Sequence, residues 1–184
     1  LTIDCDRPEF MVGAGTPWEG RTLYDLYGEA HTPWEWTEAL KTRADDVGVQ
    51  FFSSPFDGTA VDLLERVGVP VYKIASFELV DLALVRRVAA TGKPLIMSTG
   101  MASKEDIDDA VRSARDAGAK EIALLRCNSA YPASPAEMDL RTIPDVASSW
   151  DVVVGLSDHT MGHASTVAAV TLGAAIVEKH FIDS

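Results

Sequence analysis

VVVGLSDHT, residues 152–160, climbs through β-branched apolar residues and then turns polar at Ser157, Asp158 and His159. AAIVEKHF, residues 174–181, does the same and stops at Glu178, Lys179 and His180. Short, near-continuously apolar runs of this kind read as strands buried on both faces, as in a parallel sheet. In parallel βα folds ligands bind at the carboxyl ends of the strands, where loops and helix N-termini converge. The chain has four histidines, His31, His159, His163 and His180, and two of them hold the same place in successive runs.

The same rhythm extends backwards to about residue 48. Apolar runs at VQFFSSP (49–55), VYKIAS (71–76), PLIMSTG (94–100) and EIALLRCNS (121–129) precede the two already quoted. Helical stretches separate them, each with a start signal. Ser103 followed by Glu105 and Asp106 opens one that Gly118 closes, Asp57 and Asp81 precede two more, and Gly162 precedes HASTVAAVTLG. Before residue 48, GAGTPWEGRTLYDLYGEAHTPWEW reads as a long loop. TPWEWTEALKTRADDVG then reads as a helix with Thr32 as N-cap and Pro33 at its first position. Six strands and six helices repeat every 20 to 30 residues, which is a βα repeat. The fold class expected is α/β, a TIM (β/α)8 barrel present in part over residues 1–184: strands 3 to 8, without the first two.

Composition narrows the function. With 184 residues, 47% hydrophobic and 24% charged, the chain has the make-up of a soluble globular domain with a core of its own. No apolar run approaches the ~18 residues of a membrane span, and the acidic start LTIDCD is no signal peptide. Leu1 is not a natural start, so the chain reads as a piece of something longer. A net charge of −12 argues against nucleic acid as a partner, though not against a small anion held by a local field. Cys5 and Cys127 make no disulfide framework, and a reducing cytoplasm is the expected location.

The strand ends bring Ser53, Ser54, Lys73, Ser76, Ser98, Thr99, Asn128, Ser129, Tyr131, Ser157, His159, Glu178, Lys179 and His180 to one rim. Hydroxyls, Lys73 and helix N-termini suit an anion. His159 and His180 are one βα unit apart and suit a divalent ion with open positions for water and substrate. Plainer readings stand beside these. A histidine at a strand end is commonly a hydrogen-bonded structural residue, Lys73 can snorkel to the surface, and Ser98 and Thr99 can cap the next helix. Cys127 reads as a small buried residue, Trp34–Trp36 as packing or a sugar platform, and His31 and His163 as structural or exposed.

KIAS, MSTGMAS, LLRCNSAYPA, VGLSDHTMG and GAAIVEKHF, in this order and spacing, resemble the sialic acid synthase family. The segment LYDLYGEAHTPWEW is most similar to its pseudaminic acid branch. The resemblance implies a TIM barrel followed by an antifreeze-like domain, in a homodimer. It implies condensation of phosphoenolpyruvate with an N-acetylated amino sugar, here 2,4-diacetamido-2,4,6-trideoxy-altrose, to give a nonulosonic acid and phosphate. It also implies site residues: His159 and His180 for a divalent metal, Mn2+ before Mg2+, Co2+ or Zn2+. Lys73 (also catalytic), Ser76, Ser98, Ser129, Tyr131 and Ser157 would bind phosphoenolpyruvate, and Glu78 the sugar.

Departures from the family pattern are equally definite. The glutamate of its first strand, the lysine of its second and the antifreeze-like domain lie outside this chain. Ser129 stands where neuraminate synthases usually have asparagine, which leaves Asn128 as a substitute donor. Other readings follow from the same residues: an N-acetylneuraminate or legionaminate synthase, separated by Glu78 and the Trp18–Trp36 region, a Schiff-base aldolase on Lys73 or Lys179, or a truncated, non-catalytic barrel with an open sheet edge.

Overall fold

The computed structural model describes residues 3–15 and 18–181. Its contacts divide the chain into two compact units, residues 1–49 and 50–184.

In the first unit a short 3-10 turn, Pro8–Phe10, and a bridge between Met11 and Thr22 precede helix α1 (Leu23–Ala30). The sequence reading took α1 for loop. Its start signal is Thr22, whose hydroxyl accepts from the Asp25 N–H, and the glycines around it masked the pattern. Helix α2 (Thr37–Val47) begins later than expected. Pro33 and Trp34–Trp36 form a separate 3-10 turn, so Thr32 caps nothing, and Trp34 and Trp36 are exposed.

The second unit alternates helix and strand from start to end. Helix α3 (Gly58–Val67) is capped by Asp57, and β1 (Tyr72–Ile74) follows it. Helix α4 (Leu82–Ala89), capped by Asp81, leads to β2 (Leu95–Ser98). Helix α5 (Lys104–Asp116) starts at the expected Ser103, which with Asp106 forms a capping box, and leads to β3 (Ile122–Cys127). Helix α6 (Thr142–Trp150), β4 (Val153–Asp158), α7 (Ala164–Thr171) and β5 (Ile176–Lys179) complete the series. The strands form one all-parallel sheet in sequence order, β1 to β5, an arc of a (β/α)8 barrel. The expected first strand, 49–55, stays unladdered: among the described residues one long backbone bond, Lys73 N–H to Ser53 O at 3.5 Å, ties it to β1.

One ion pair demonstrates the curvature of the arc. Lys73 lies on β1 and Glu178 on β5, at opposite edges of the sheet, yet their charged groups are 3.3 Å apart. Laid flat, four strand spacings put those edges roughly 19 Å apart, beyond any lysine. The side of the sheet that packs on the helices carries Tyr72, Ile74, Met97, Leu124 and Leu156, all fully buried against α4, α5 and α6 residues such as Val85, Val88, Ala110 and Ile143. Residues of opposite parity, Lys73, Ser98, Cys127, Ser157 and Glu178, face the inside of the curve.

Gly155 makes the tight curve between β4 and β5 possible. A methyl group there would lie 2.4 Å from the Ile176 carbonyl oxygen and 2.5 Å from Leu125 Cδ2. Backbone cannot step aside as a side chain can, so Gly155→Ala is expected to cost about 3 kcal/mol in chemical denaturation. A denaturation midpoint equal to the parent's would contradict that. Among the described residues no helix is long and apolar enough to cross a membrane.

Candidate active site at the strand ends

From β1, Lys73 is buried and paired with Glu178, so it does not snorkel. The turn after β1 places Ser76, whose Oγ accepts from the Gly100 N–H at 3.1 Å, and Glu78. One carboxylate oxygen of Glu78, Oε2, is buried with no hydrogen-bond partner, and burial pushes its carboxyl above the ordinary value. From β2 comes Ser98, whose Oγ is likewise buried and unpartnered. Neither Ser98 nor Thr99 caps a helix: Thr99 donates to Leu125 O, and Ser103 does the capping. Buried unpartnered polar atoms are costly, so two at one rim point to a ligand that completes them.

Between these hydroxyls lies a cradle that only glycine leaves open. A Cβ on Gly100 would come within 2.3 Å of Ser129 Oγ, 2.7 Å of Ser76 Oγ and 3.1 Å of Cys127 Sγ. Ser129 reaches it from the loop after β3. Asn128 does not, since its amide is engaged inside that loop, donating to Glu137 O and accepting from the Ala130 N–H. Ser129 Oγ, and not the Asn128 amide, is therefore the group that faces Gly100 at the rim. Cys127 is buried beneath, as expected.

β4 and β5 contribute the rest. Ser157 Oγ donates to Glu178 Oε1 at 2.6 Å, which orients the carboxylate that faces Lys73. The rings of His159 and His180 are 5.3 Å apart, and Tyr131 lies over His159 at 4.1 Å and edge-on to His180 at 5.6 Å. His159, His180, Glu178 and Lys179 line a recess of about 120 Å³. His159 Nδ1 is 2.7 Å from the Asn128 carbonyl oxygen. A carbonyl can only accept, so Nδ1 is the donor here, which leaves Nε2 as the nitrogen available to a metal in the neutral ring. Among the described residues no three of His, Cys, Asp and Glu group as a metal cage. The donor set fits an ion held by two imidazoles with positions left for water and substrate oxygens.

Sequence reading missed the role of Asp158. Its side chain is fully buried and accepts from the Thr160 N–H and hydroxyl, the Thr166 hydroxyl and Lys179 Nζ. Burial by itself would raise its carboxyl, but those donors outweigh it and hold the group at about 2. The signal was present in the sequence: Asp158 and Lys179 each stand directly before one of the paired histidines. His31 and His163 are exposed and take no part. A larger cavity, about 600 Å³, opens at the amino ends of the strands among Leu95, Ile122, Ala123 and Val153, away from all of these groups.

A parallel βα arc gathers a lysine, serine hydroxyls and two imidazoles at its carboxyl rim, the end at which βα barrels carry their sites. The NeuB family model matches residues 3–184, and the chain belongs to that family. It is 41% identical to the pseudaminic acid synthase of Helicobacter pylori, over 99% of this chain and 53% of that protein. To the N,N'-diacetyllegionaminic acid synthase of Campylobacter jejuni it is 39% identical, over 77% of this chain and 43% of that protein. The crystal structure of an N-acetylneuraminic acid synthetase from Leptospira borgpetersenii, in complex with citrate, superposes with a TM-score of 0.83 at 31% identity, covering 87% of this chain and 56% of that one. These similarities bear out the resemblance drawn from the motifs, including its pseudaminic acid branch, and the partial barrel. The chain spans about half the length of the curated relatives it matches.

Proposed function

We propose that this chain forms most of the catalytic barrel of a phosphoenolpyruvate-dependent nonulosonic acid synthase, a cytoplasmic homodimer making pseudaminic acid from 2,4-diacetamido-2,4,6-trideoxy-altrose. The observation that carries the reading is the convergence of Lys73, the unpartnered Ser98 Oγ and the Gly100 cradle beside two ring-paired histidines. Lys73 with Ser76, Ser98, Ser129, Tyr131 and Ser157 would hold phosphoenolpyruvate, the lysine as a point charge and the hydroxyls as donors fixed before reaction begins. Glu78, with an unpaired carboxylate oxygen, would accept from a sugar hydroxyl.

His159 and His180 would hold the divalent ion, Mn2+ by preference, which when bound supplies Lewis-acid polarisation of the sugar aldehyde. With the phosphate anchored, C3 of phosphoenolpyruvate bonds to the aldehyde carbon and its double-bond electrons move to that new bond. The aldehyde oxygen takes a proton and water adds at C2 with loss of a proton; the C2–O bond to phosphate then breaks as the C2 hydroxyl becomes the carbonyl, its proton leaving with the inorganic phosphate. Holding both reactants on one rim removes most of the entropic barrier to the first step. Lys179 is committed to Asp158 and Thr160 O, which disfavours it as an aldolase nucleophile.

The test is Mn2+-dependent phosphate release by the full-length protein from phosphoenolpyruvate, offered 2,4-diacetamido-trideoxy-altrose, its manno isomer or N-acetylmannosamine. Release with the altrose sugar alone supports the reading. Preference for the manno isomer makes it a legionaminate synthase, and no release with any sugar removes the proposal. The cradle gives a separate expectation. Gly100→Ala would turn Ser76 and Ser129 away from the phosphate at a loss of about one or two charge-assisted hydrogen bonds. The Michaelis constant for phosphoenolpyruvate should rise roughly 10- to 100-fold with the melting temperature nearly unchanged. An unaltered constant would show that the cradle does not receive the phosphate.

A further inference from the structure

Strand alternation sets Asp158 and Lys179 on one face of the sheet and their neighbours His159 and His180 on the other. Asp158 and Lys179 are register partners across β4 and β5, so the two histidines follow from the same rung. On that outer face the Lys179 ammonium donates to Asp158 Oδ2 at 2.9 Å and to Thr160 O at 2.8 Å. The residue before His180 thus grips the residues on both sides of His159. Asp158 is tied in turn to the Thr160 N–H and hydroxyl, at 2.9 and 2.7 Å, and to Thr166 of α7 at 2.8 Å.

We infer that Asp158 and Lys179 are positioning residues, a clamp on a buried carboxylate that sets the separation of His159 and His180 and so the affinity of the pair for a divalent ion. This rests on the two-histidine reading above. Among the described residues no third His, Cys, Asp or Glu groups with the pair, so freedom between the two strand ends would pass directly to the separation of the rings. A purely structural ion pair would lower stability on loss of either partner and leave ion affinity as it was in whatever protein remained folded.

The experiment is Mn2+ binding to the full-length protein, read from the loss of the free-ion EPR signal well below the melting temperature, with Mn2+ as the sole probe. Asp158→Asn and Lys179→Met are each expected to weaken binding roughly 10- to 100-fold, as loss of outer partners of ligating groups does. The Asp158→Asn/Lys179→Met double variant should be no worse than the poorer single one, because both remove the same clamp. Lys179→Arg, which keeps a donor for both oxygens, should recover most of the affinity. Thr166→Val leaves the ion pair in place and removes one hydrogen bond, so it reads the same quantity even where Asp158→Asn does not fold, with a loss of about threefold. Parental Mn2+ affinity in the folded Lys179→Met and Thr166→Val proteins would overturn the clamp. Absence of Mn2+ binding by the parent protein would instead overturn the two-histidine site, and the clamp with it.

Discussion

His159→Ala and His180→Ala are each expected to lower Mn2+-dependent phosphate release by a factor of about 10³ or more while moving the melting temperature by only a few degrees. The rings sit at the rim, outside the apolar core, so their removal opens no large cavity. His180 is exposed, and His159 gives up one hydrogen bond to the Asn128 carbonyl. Lewis-acid stabilisation of a developing alkoxide is worth several kcal/mol, and each 1.4 kcal/mol is a factor of ten. If the two imidazoles hold the ion as proposed, with no third His, Cys, Asp or Glu grouped beside them among the described residues, loss of either would leave a single ring, too weak to retain it at micromolar concentration. Parallel EPR titrations should show that loss directly. Activity surviving in both variants would transfer the chemistry to groups other than the histidines.

The legibility of this arrangement from sequence follows what each interaction depends on. Strands β1 to β5 could be placed because burial on both faces demands apolar runs, and the caps Asp57, Asp81 and Ser103 because an N-cap is a local event. The run at 49–55 has the same composition as a strand, but a strand exists only where a neighbour accepts its ladder, and one long bond to Ser53 does not make one. Helix α1 was hidden because Gly28 and exposed aromatics on a short segment leave almost no apolar period to find. At the site, the two histidines were visible by their repeated position. The Lys73–Glu178 pair was not, since it joins residues 105 positions apart across the inside of the curve, and only the curvature brings them together. Gly100 was passed over for a related reason: what matters there is the side chains of Ser76 and Ser129 arriving from two other loops.

The Lys73–Glu178 pair carries the second large effect. Lys73→Met keeps the buried stem and deletes the charge, and the affinity for phosphoenolpyruvate should fall by about 10³-fold. Part of that fall comes from the lost contact to the phosphate and part from the partner left behind, since removing one member of an ion pair strands the charge of the other. Here the partner is Glu178, still fixed by the Ser157 hydroxyl, which then presents an uncompensated carboxylate to an incoming phosphate. That argument separates two contributions by sign. If repulsion from Glu178 supplies part of the loss, Lys73→Met/Glu178→Gln should bind phosphoenolpyruvate about tenfold better than Lys73→Met alone, by titration calorimetry. If the lysine acts only as a donor, the second substitution should bring no recovery. Unchanged affinity in Lys73→Met would take the lysine out of the phosphate site altogether. Borohydride trapping with pyruvate addresses the remaining chemistry, because a Schiff-base aldolase would leave Lys73 covalently labelled, whereas a synthase that uses the ammonium electrostatically leaves it unmodified.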